Sequence, residues 1–148
     1  MTDTEKAKQL REFIRLFERK LGILEDGEMA CCGISLTKCQ ALVEIGRAGT
    51  VSLAELAALL NLDSSTMSRT VNHLVSYNLA ERELDPDDRR YVSIRLTPEG
   101  QKTFQEIESN MTAYYVKVFE TIPADKRDAV LESLQILLKA ITDTDYCS

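Results

Sequence analysis

Between residues 53 and 97 the spacing of apolar residues changes period, and few folds accommodate that change over so short a stretch. Leu53, Leu56, Ala57 and Leu60 recur at three- and four-residue intervals, the repeat of a helix with one covered face. Ser52, followed three residues later by Glu55, is a capping box that opens this helix over 53–60. The turn "NLD" follows, and Asp63 or Ser64 caps a second helix whose expected inward positions are Met67, Val71, Leu74 and Val75. After Asn78 the period drops to two. "LAEREL" and "YVSIRLT" read as short strands on either side of "DPDDRR", where Pro86 follows Asp85 in a favoured turn order. Two short helices joined by a tight turn and followed by a hairpin predict a helix-turn-helix with a β wing.

The flanks are helical. Leu10, Phe13, Ile14, Phe17, Leu21 and Leu24 predict an amphipathic helix over 4–24, which "EDGEMACCG" interrupts with Gly27 and Gly33. A second helix, over 35–47, carries Leu36, Cys39, Leu42, Val43 and Ile45 and is expected to end near Gly46 and Gly49. Thr97-Pro98 opens a helix over 98–121 that carries Phe104, Ile107, Met111, Tyr114, Tyr115, Val118 and Phe119. Pro123 is expected to start the last helix, with Val130, Leu131, Leu134, Leu137, Leu138 and Ile141. The predicted fold class is mainly α with a small β wing. A winged helix-turn-helix region, 35–97, is flanked by helical regions 1–34 and 98–148. Neither an internal repeat nor a low-complexity linker is visible.

Composition narrows the function classes. Hydrophobic residues make up 44% of the 148, enough for a core and too many for a disordered chain. No apolar run approaches the roughly 18 residues of a membrane span. The N-terminal "MTDTEKAKQL" is charged and has no apolar stretch behind it, so a cytoplasmic protein with no membrane partner is expected. A Gly-rich phosphate loop, a zinc-protease helix and a nucleophile elbow are all missing from the sequence, so no enzyme is expected. A cysteine nucleophile paired with His73 is supported by composition only, and His73 lies on the second helix of the predicted helix-turn-helix.

The net charge of −6 argues mildly against nucleic-acid binding. Its distribution matters more. Residues 1–60 carry 8 basic and 9 acidic side chains, and residues 61–95 carry 5 and 6. Residues 96–148 carry 5 and 9, so most of the acid excess lies away from the predicted helix-turn-helix and wing.

A DNA-reading helix needs short polar side chains near its N-terminus, where backbone and base edges approach closely. This one offers Ser64, Ser65, Thr66, Ser68, Arg69 and Asn72, all but Ser64 on a face distinct from Met67, Val71 and Leu74. Arg69 suits bidentate reading of guanine and Asn72 suits adenine. The serines and the helix N-terminus suit phosphates. A merely solvated, well-capped helix would look similar, but the following hairpin does not fit that account. Its tip crowds three aspartates and two arginines into residues 85–90. A solvated turn does not require that crowding, whereas a probe entering a narrow, negative groove uses arginine.

The stretch "LAELAALLNLDSSTMSRTVNHLVSYNLAERELDPDDRRYVSIRLTPEG", residues 53 to 100, resembles the MarR family of winged-helix transcriptional regulators. The acidic-arginine wing tip followed by "LTPEG" is the most specific part. The helix order on either side also matches, by pattern more than by motif. The resemblance implies a homodimer built by the terminal helices that binds a palindromic operator on double-stranded DNA. It implies control, commonly repression, relieved by a small ligand, an oxidant or a metal. It further implies that Arg90 enters the minor groove and that Asp88 braces it through a salt bridge, leaving Arg89 to a phosphate. A phenolic or carboxylate ligand between the dimer helices and the winged region is compatible with it. The alternative from another class is a winged-helix protein-interaction module without DNA binding.

The cysteines are Cys31, Cys32, Cys39 and Cys147, with no CxxC pair, and one histidine excludes a multi-histidine metal site within one chain. Cys39 reads as a small core residue, as buried free cysteines usually are. Cys31 and Cys32 are expected on a Gly-flanked loop before a helix that Ser35 or Thr37 would cap, where a helix dipole favours thiolate. Such a pair, with Cys39 about two turns further on as the alternative to its core reading and Cys147 approaching from an end, suits an oxidant or a soft metal or metalloid as effector. No other cofactor is implied. The chain departs from the zinc-sensing branch by lacking its histidines. It departs from the peroxide-sensing branch by lacking a lone cysteine early in the first helix.

Overall fold

The computed structural model describes residues 1–32, 36–84, 86–87 and 92–145, and over 22–32 and at 36 it describes the backbone alone. It is mainly helical with one small antiparallel sheet. The elements in chain order are α1 (Asp3–Cys32), α2 (Leu36–Ala48), β1 (Val51–Ser52), α3 (Leu53–Leu60) and α4 (Ser64–Ser76). They continue as β2 (Ala80–Leu84), β3 (Val92–Leu96), α5 (Pro98–Thr121), a 3-10 turn (Ala124–Lys126) and α6 (Arg127–Thr142). The chain divides into two compact units, Met1–Ile107 and Glu108–Ser148.

In the first unit, α1 starts at a capping box the sequence reading passed over. The Glu5 N–H donates to Thr2 Oγ1 at 3.1 Å, and the Thr2 N–H donates to a Glu5 carboxylate oxygen at 2.7 Å. The helix does not stop at 24 but runs on to Cys32. Gly27 weakens a helix interior by about 1 kcal/mol relative to Ala but does not end it, and good helix formers surround it. The expected inward residues Leu24 and Leu36 have side chains outside the described set.

The core forms where α2, α3 and α4 meet the sheet. Leu42, Ile45, Leu56, Met67, Val71, Leu74 and Ile94 are each 0% exposed. Fully burying one such side chain stabilises the fold by about 1.5–3 kcal/mol. Val75, expected inward, is 38% exposed. It stands 100° around the helix from Leu74 and drops off the stripe. Thr70, not expected there, is buried, and its hydroxyl donates to the Thr66 carbonyl at 3.0 Å. Gly46 does not end α2. It lies inside the helix, where a Cβ would run into the Phe104 ring, and the left-handed turn falls at Gly49 (φ 80°).

The sheet has three strands in the order β1-β3-β2, one more than the predicted hairpin. The added strand β1, with Val51 opposite Ile94, is two residues long and too short to show a period. In the hairpin Ala80 faces Leu96 and Leu84 faces Val92. Alternation puts Ala80, Arg82, Ile94 and Leu96 on one face and Glu81, Glu83, Ser93 and Arg95 on the other.

"LTPEG" ties the wing to α5. The Thr97 hydroxyl donates to the Asn78 carbonyl at 2.6 Å and accepts the Gly100 N–H at 3.0 Å, capping the helix. A Cβ on Gly100 would collide with the Leu79 carbonyl, so only glycine fits this approach.

The second unit holds the rest of α5, the 3-10 turn and α6. Pro123 precedes the 3-10 turn, and α6 begins later than expected, at Arg127. Arg127 secures the corner. Its Nε donates to the Ile122 carbonyl at 3.0 Å, its Nη2 to the Glu120 carbonyl at 3.1 Å, and its guanidinium lies 5.5 Å from the Phe119 ring centre. No α6 residue is buried.

Candidate nucleic-acid interface

The presentation of α4 begins with the turn before it. Asn61 takes a left-handed conformation (φ 52°), which Asn tolerates better than most residues. The chain therefore reverses in three residues, with the Asn61 and Leu62 N–H groups closing onto the Ala58 and Ala57 carbonyls at 3.2 and 3.0 Å. Ser52 caps α3 by accepting the Glu55 N–H at 3.1 Å. Of the two candidate caps for α4, Asp63 serves, accepting the Thr66 N–H at 2.7 Å. At the far end Asn78 (φ 61°) turns the chain from α4 into the wing, with the Leu79 N–H bonded to the Leu74 carbonyl at 2.9 Å.

Between these ends α4 buries Met67, Val71 and Leu74 and leaves most of its polar residues outward. Ser64, Ser65, Arg69 and Asn72 are exposed, and Thr66 and Ser68 are half-buried. Ser65, Arg69 and Asn72, at four- and three-residue spacing, share one face. His73 is exposed beside them and the Ser76 hydroxyl donates to its carbonyl at 2.8 Å.

The acidic groups near this face are engaged locally. Asp63 accepts a second bond, from the Thr66 hydroxyl at 3.0 Å, and Thr66 Oγ1 in turn accepts from Arg69 Nη2 at 3.4 Å. The Thr66 N–H, then its hydroxyl, and then the nearby Arg69 charge hold the Asp63 carboxyl below its ordinary value. On the outer face of the wing, Arg95 Nε donates to Glu81 at 2.6 Å, and Arg95 Nη1 lies 3.6 Å from Glu83. The bond to Glu81 raises the Arg95 pKa. These pairs are exposed and add little stability, but they reduce the negative field of the strands.

Arg82 is the residue that sequence reasoning missed. Its Nη2 donates to the Ser68 carbonyl at 3.3 Å, linking β2 to the middle of α4. The signal was present in "LAEREL", because alternation puts Arg82 on the same face as buried Ala80, where an apolar residue is the default. An arginine there calls for a partner.

Three predicted contact residues, Asp88, Arg89 and Arg90, lie outside the described residues; Pro86 and Asp87 beside them are exposed. Among the cysteines, Cys39 is 2% exposed and packs in the core of α2. Cys31 and Cys32 are not on a loop before α2 but form the last residues of α1, and their side chains lie outside the described set. A helix C-terminus carries partial negative charge, so the dipole there opposes a thiolate instead of favouring it. Ser35 and Cys147 lie outside the described residues, and Thr37 falls within α2. Among the described residues no group of three or more His, Cys, Asp and Glu side chains could hold a metal ion. No described helix is long and apolar enough to cross a membrane.

Comparison with known proteins agrees with this geometry. A model described as the MarR family matches residues 33–90, which hold α2, β1, α3, α4 and the first wing strand, β2. The HTH-type transcriptional regulator YdgJ of Bacillus subtilis (strain 168) is 25% identical over 71% of this chain, and the match spans 64% of YdgJ, just under two thirds. YhbI of the same organism, also an HTH-type transcriptional regulator, is 31% identical over 72% of this chain and 71% of its own. The fold is that of Streptococcus pneumoniae FabT, solved in complex with DNA, with a TM-score of 0.81 at 19% identity over 93% of this chain and 98% of that one. YdgJ and YhbI are both regulators of transcription. A family model seated on the helix-turn-helix, together with a relative such as YhbI, shows that the chain belongs to the MarR family.

Proposed function

We propose that the chain is a homodimeric, sequence-specific DNA-binding repressor whose operator is released by a small effector. The observation that carries this reading is α4. A capped helix with three apolar residues fully buried turns Ser64, Ser65, Arg69 and Asn72 outward on one side. In the major groove Arg69 reads guanine and Asn72 adenine, while Ser64, Ser65, Thr66 and Ser68 serve the backbone. Arg90 occupies the minor groove with Asp88 orienting it, and Arg89 meets phosphate. The fold of FabT, solved in complex with DNA, supports this use of the same architecture.

The terminal helices support a dimer. Leu10, Phe13, Leu16, Phe17 and Leu21 of α1 are 40–51% exposed, and Leu131, Leu134, Leu138 and Ile141 of α6 are 43–65% exposed. Monomers rarely leave apolar surface of that extent uncovered. Two-fold pairing would cover it and set two copies of α4 about 34 Å apart, matching a palindrome.

For the effector, the adjacent thiols of Cys31 and Cys32 are the candidate sensor for an oxidant or a soft metal or metalloid, joined by Cys147. Cys39 belongs to the core. The loss of a favourable dipole leaves an organic ligand as the competing effector. Operator release by wild type and by Cys31→Ser/Cys32→Ser, with peroxide, arsenite, Cu(I) or Zn(II) added, decides between them. Unchanged release in the double mutant removes the pair from the mechanism.

The net charge of −6 favours one second reading, a winged-helix protein-interaction module without DNA binding. A gel shift on upstream DNA over a salt series separates the two. The repressor's affinity falls steeply with salt as counterion release loses its advantage. Sequence-blind or absent binding would sink the DNA reading.

A further inference from the structure

Two threonines one helical turn apart in α4 use their hydroxyls differently. Thr70 bonds back to the Thr66 carbonyl at 3.0 Å, the usual local partner of a helical threonine. Thr66 does not follow that pattern. Its hydroxyl donates to Asp63 Oδ2 at 3.0 Å, while its oxygen accepts from Arg69 Nη2 at 3.4 Å. A hydroxyl has one proton to give. With that proton committed to a carboxylate, the lone pairs of Thr66 Oγ1 are what it can offer to a donor. The donor within reach is the long, charged side chain one turn further on.

We propose that Thr66 is a positioning residue for Arg69. Anchored by Asp63, its hydroxyl holds the guanidinium over the outer face of α4 before DNA arrives. This rests on the DNA-binding reading of α4 and adds to it a reason for fidelity. An unbraced arginine samples many rotamers and loses them on binding, whereas a braced one has less to lose. The brace is compatible with base reading. Nη2 carries two N–H bonds, so one directed at Thr66 leaves the other, with those of Nη1, for the two acceptors of a guanine. The bond to Thr66 is long, so it orients the group without locking it. The Asp63 bond to the Thr66 backbone N–H, at 2.7 Å, is independent of the hydroxyl and survives its removal.

The test selects duplexes from a random-centre library with wild-type protein and sequences the bound fraction. The same selection is run with Arg69→Ala, Thr66→Val, Thr66→Ser and Thr66→Val/Arg69→Ala. Arg69→Ala identifies the base pair that Arg69 reads. At that base pair Thr66→Val is expected to lose about fivefold in discrimination, with other positions unchanged, and Thr66→Ser to stay within about twofold of wild type. In the Arg69→Ala background Thr66→Val is expected to add no further loss, because the two act through one contact. Thermal melts confirm folding, and Thr66→Ala replaces Thr66→Val should the latter not fold. A loss spread evenly over all positions, or an equal loss with and without Arg69, overturns the brace. So does a Thr66→Val profile like the wild type. Wild-type protein that enriches no sequence overturns the DNA-binding reading itself, and the brace with it.

Discussion

Helices α4 and α6 look alike as sequence and differ as structure. Each repeats apolar residues at three- and four-residue spacing along one stripe. In α4 that stripe is covered within the chain, and Met67, Val71 and Leu74 are each 0% exposed. In α6 the corresponding residues stay open, with Leu131 at 51%, Leu134 at 43% and Leu138 at 65%. Periodicity tells which residues share a face but not what lies against it. The helix whose apolar face is satisfied at home can present its polar face to a ligand. The helix whose apolar face is not satisfied presents that face itself. The two are therefore read as offering different partners, DNA for α4 and a second copy of the chain for α6.

The largest effects break the comparison on its buried side. Leu74→Ala is expected to cost about 2–5 kcal/mol of stability, since it leaves a cavity among fully packed side chains. In denaturant titration that loss should be the same at low and high protein concentration, because the contact lies within one chain. Leu134→Glu/Leu138→Glu should behave in the opposite way. Charges on the open stripe are expected to weaken self-association by more than tenfold in sedimentation, and to remove the rise of melting temperature with concentration that a dimer shows. A double mutant that still associates like wild type would remove α6 from the subunit contact.

The polar side of α4 is sharpened by comparing it with the wing. Arg69→Ala is expected to cost about 1–3 kcal/mol of operator binding and to relax preference at one base position. Arg90→Ala should weaken binding with a milder loss of preference, mainly at A·T-rich flanks, and Asp88→Ala should give a smaller form of the same defect. Fluorescence titration against single-base operator variants separates these patterns. An Arg90→Ala protein of unchanged affinity would reduce the wing to a hairpin.

The sequence was most legible where local chemistry and packing agree. The cap at Asp63, the stripe of α4 and the strands of the wing are set by residues a few positions apart. Val75 failed because the stripe is narrower than a run of neighbouring apolar residues suggests. Strand β1 was hidden because two residues carry no period, and its pairing with β3 joins residues some forty positions apart. The end of α1 was misplaced because Gly27 was read as a stop when it is only a weak point. That error had a chemical consequence, since it moved Cys31 and Cys32 from a helix start to a helix end. Arg82 shows the reverse case. An arginine on the strand face that buried Ala80 begins was legible as out of pattern, but its partner, the Ser68 carbonyl, belongs to the backbone and has no letter in the sequence.

The smallest expected effect compares the N-terminal ends of the same two helices. Asp63 caps α4 through its side chain, whereas α6 begins without a side-chain cap. Asn is as good a cap as Asp, so Asp63→Asn removes the charge and keeps the bond from the Thr66 N–H, though its Nδ2 cannot accept the Thr66 hydroxyl as Oδ2 does. In the folded protein the Asp63 carboxyl is held below its ordinary value, chiefly by the Thr66 N–H. The unfolded chain therefore takes up that proton more readily than the folded one. The stabilisation due to the charge is fully present above the unfolded value and is lost as pH falls through the lowered folded value. Melting temperatures of wild type and Asp63→Asn should accordingly differ by a constant amount near neutrality and converge in acid. The gap should be far smaller than that caused by Leu74→Ala, because the carboxylate is open to solvent and screened. Raising the salt concentration should narrow it at neutral pH. An Asp63→Asn protein that melted higher than wild type near neutrality, with the difference closing in acid, would mean that the charge opposes the helix, and that Asp63 serves α4 as a hydrogen-bond acceptor and nothing more.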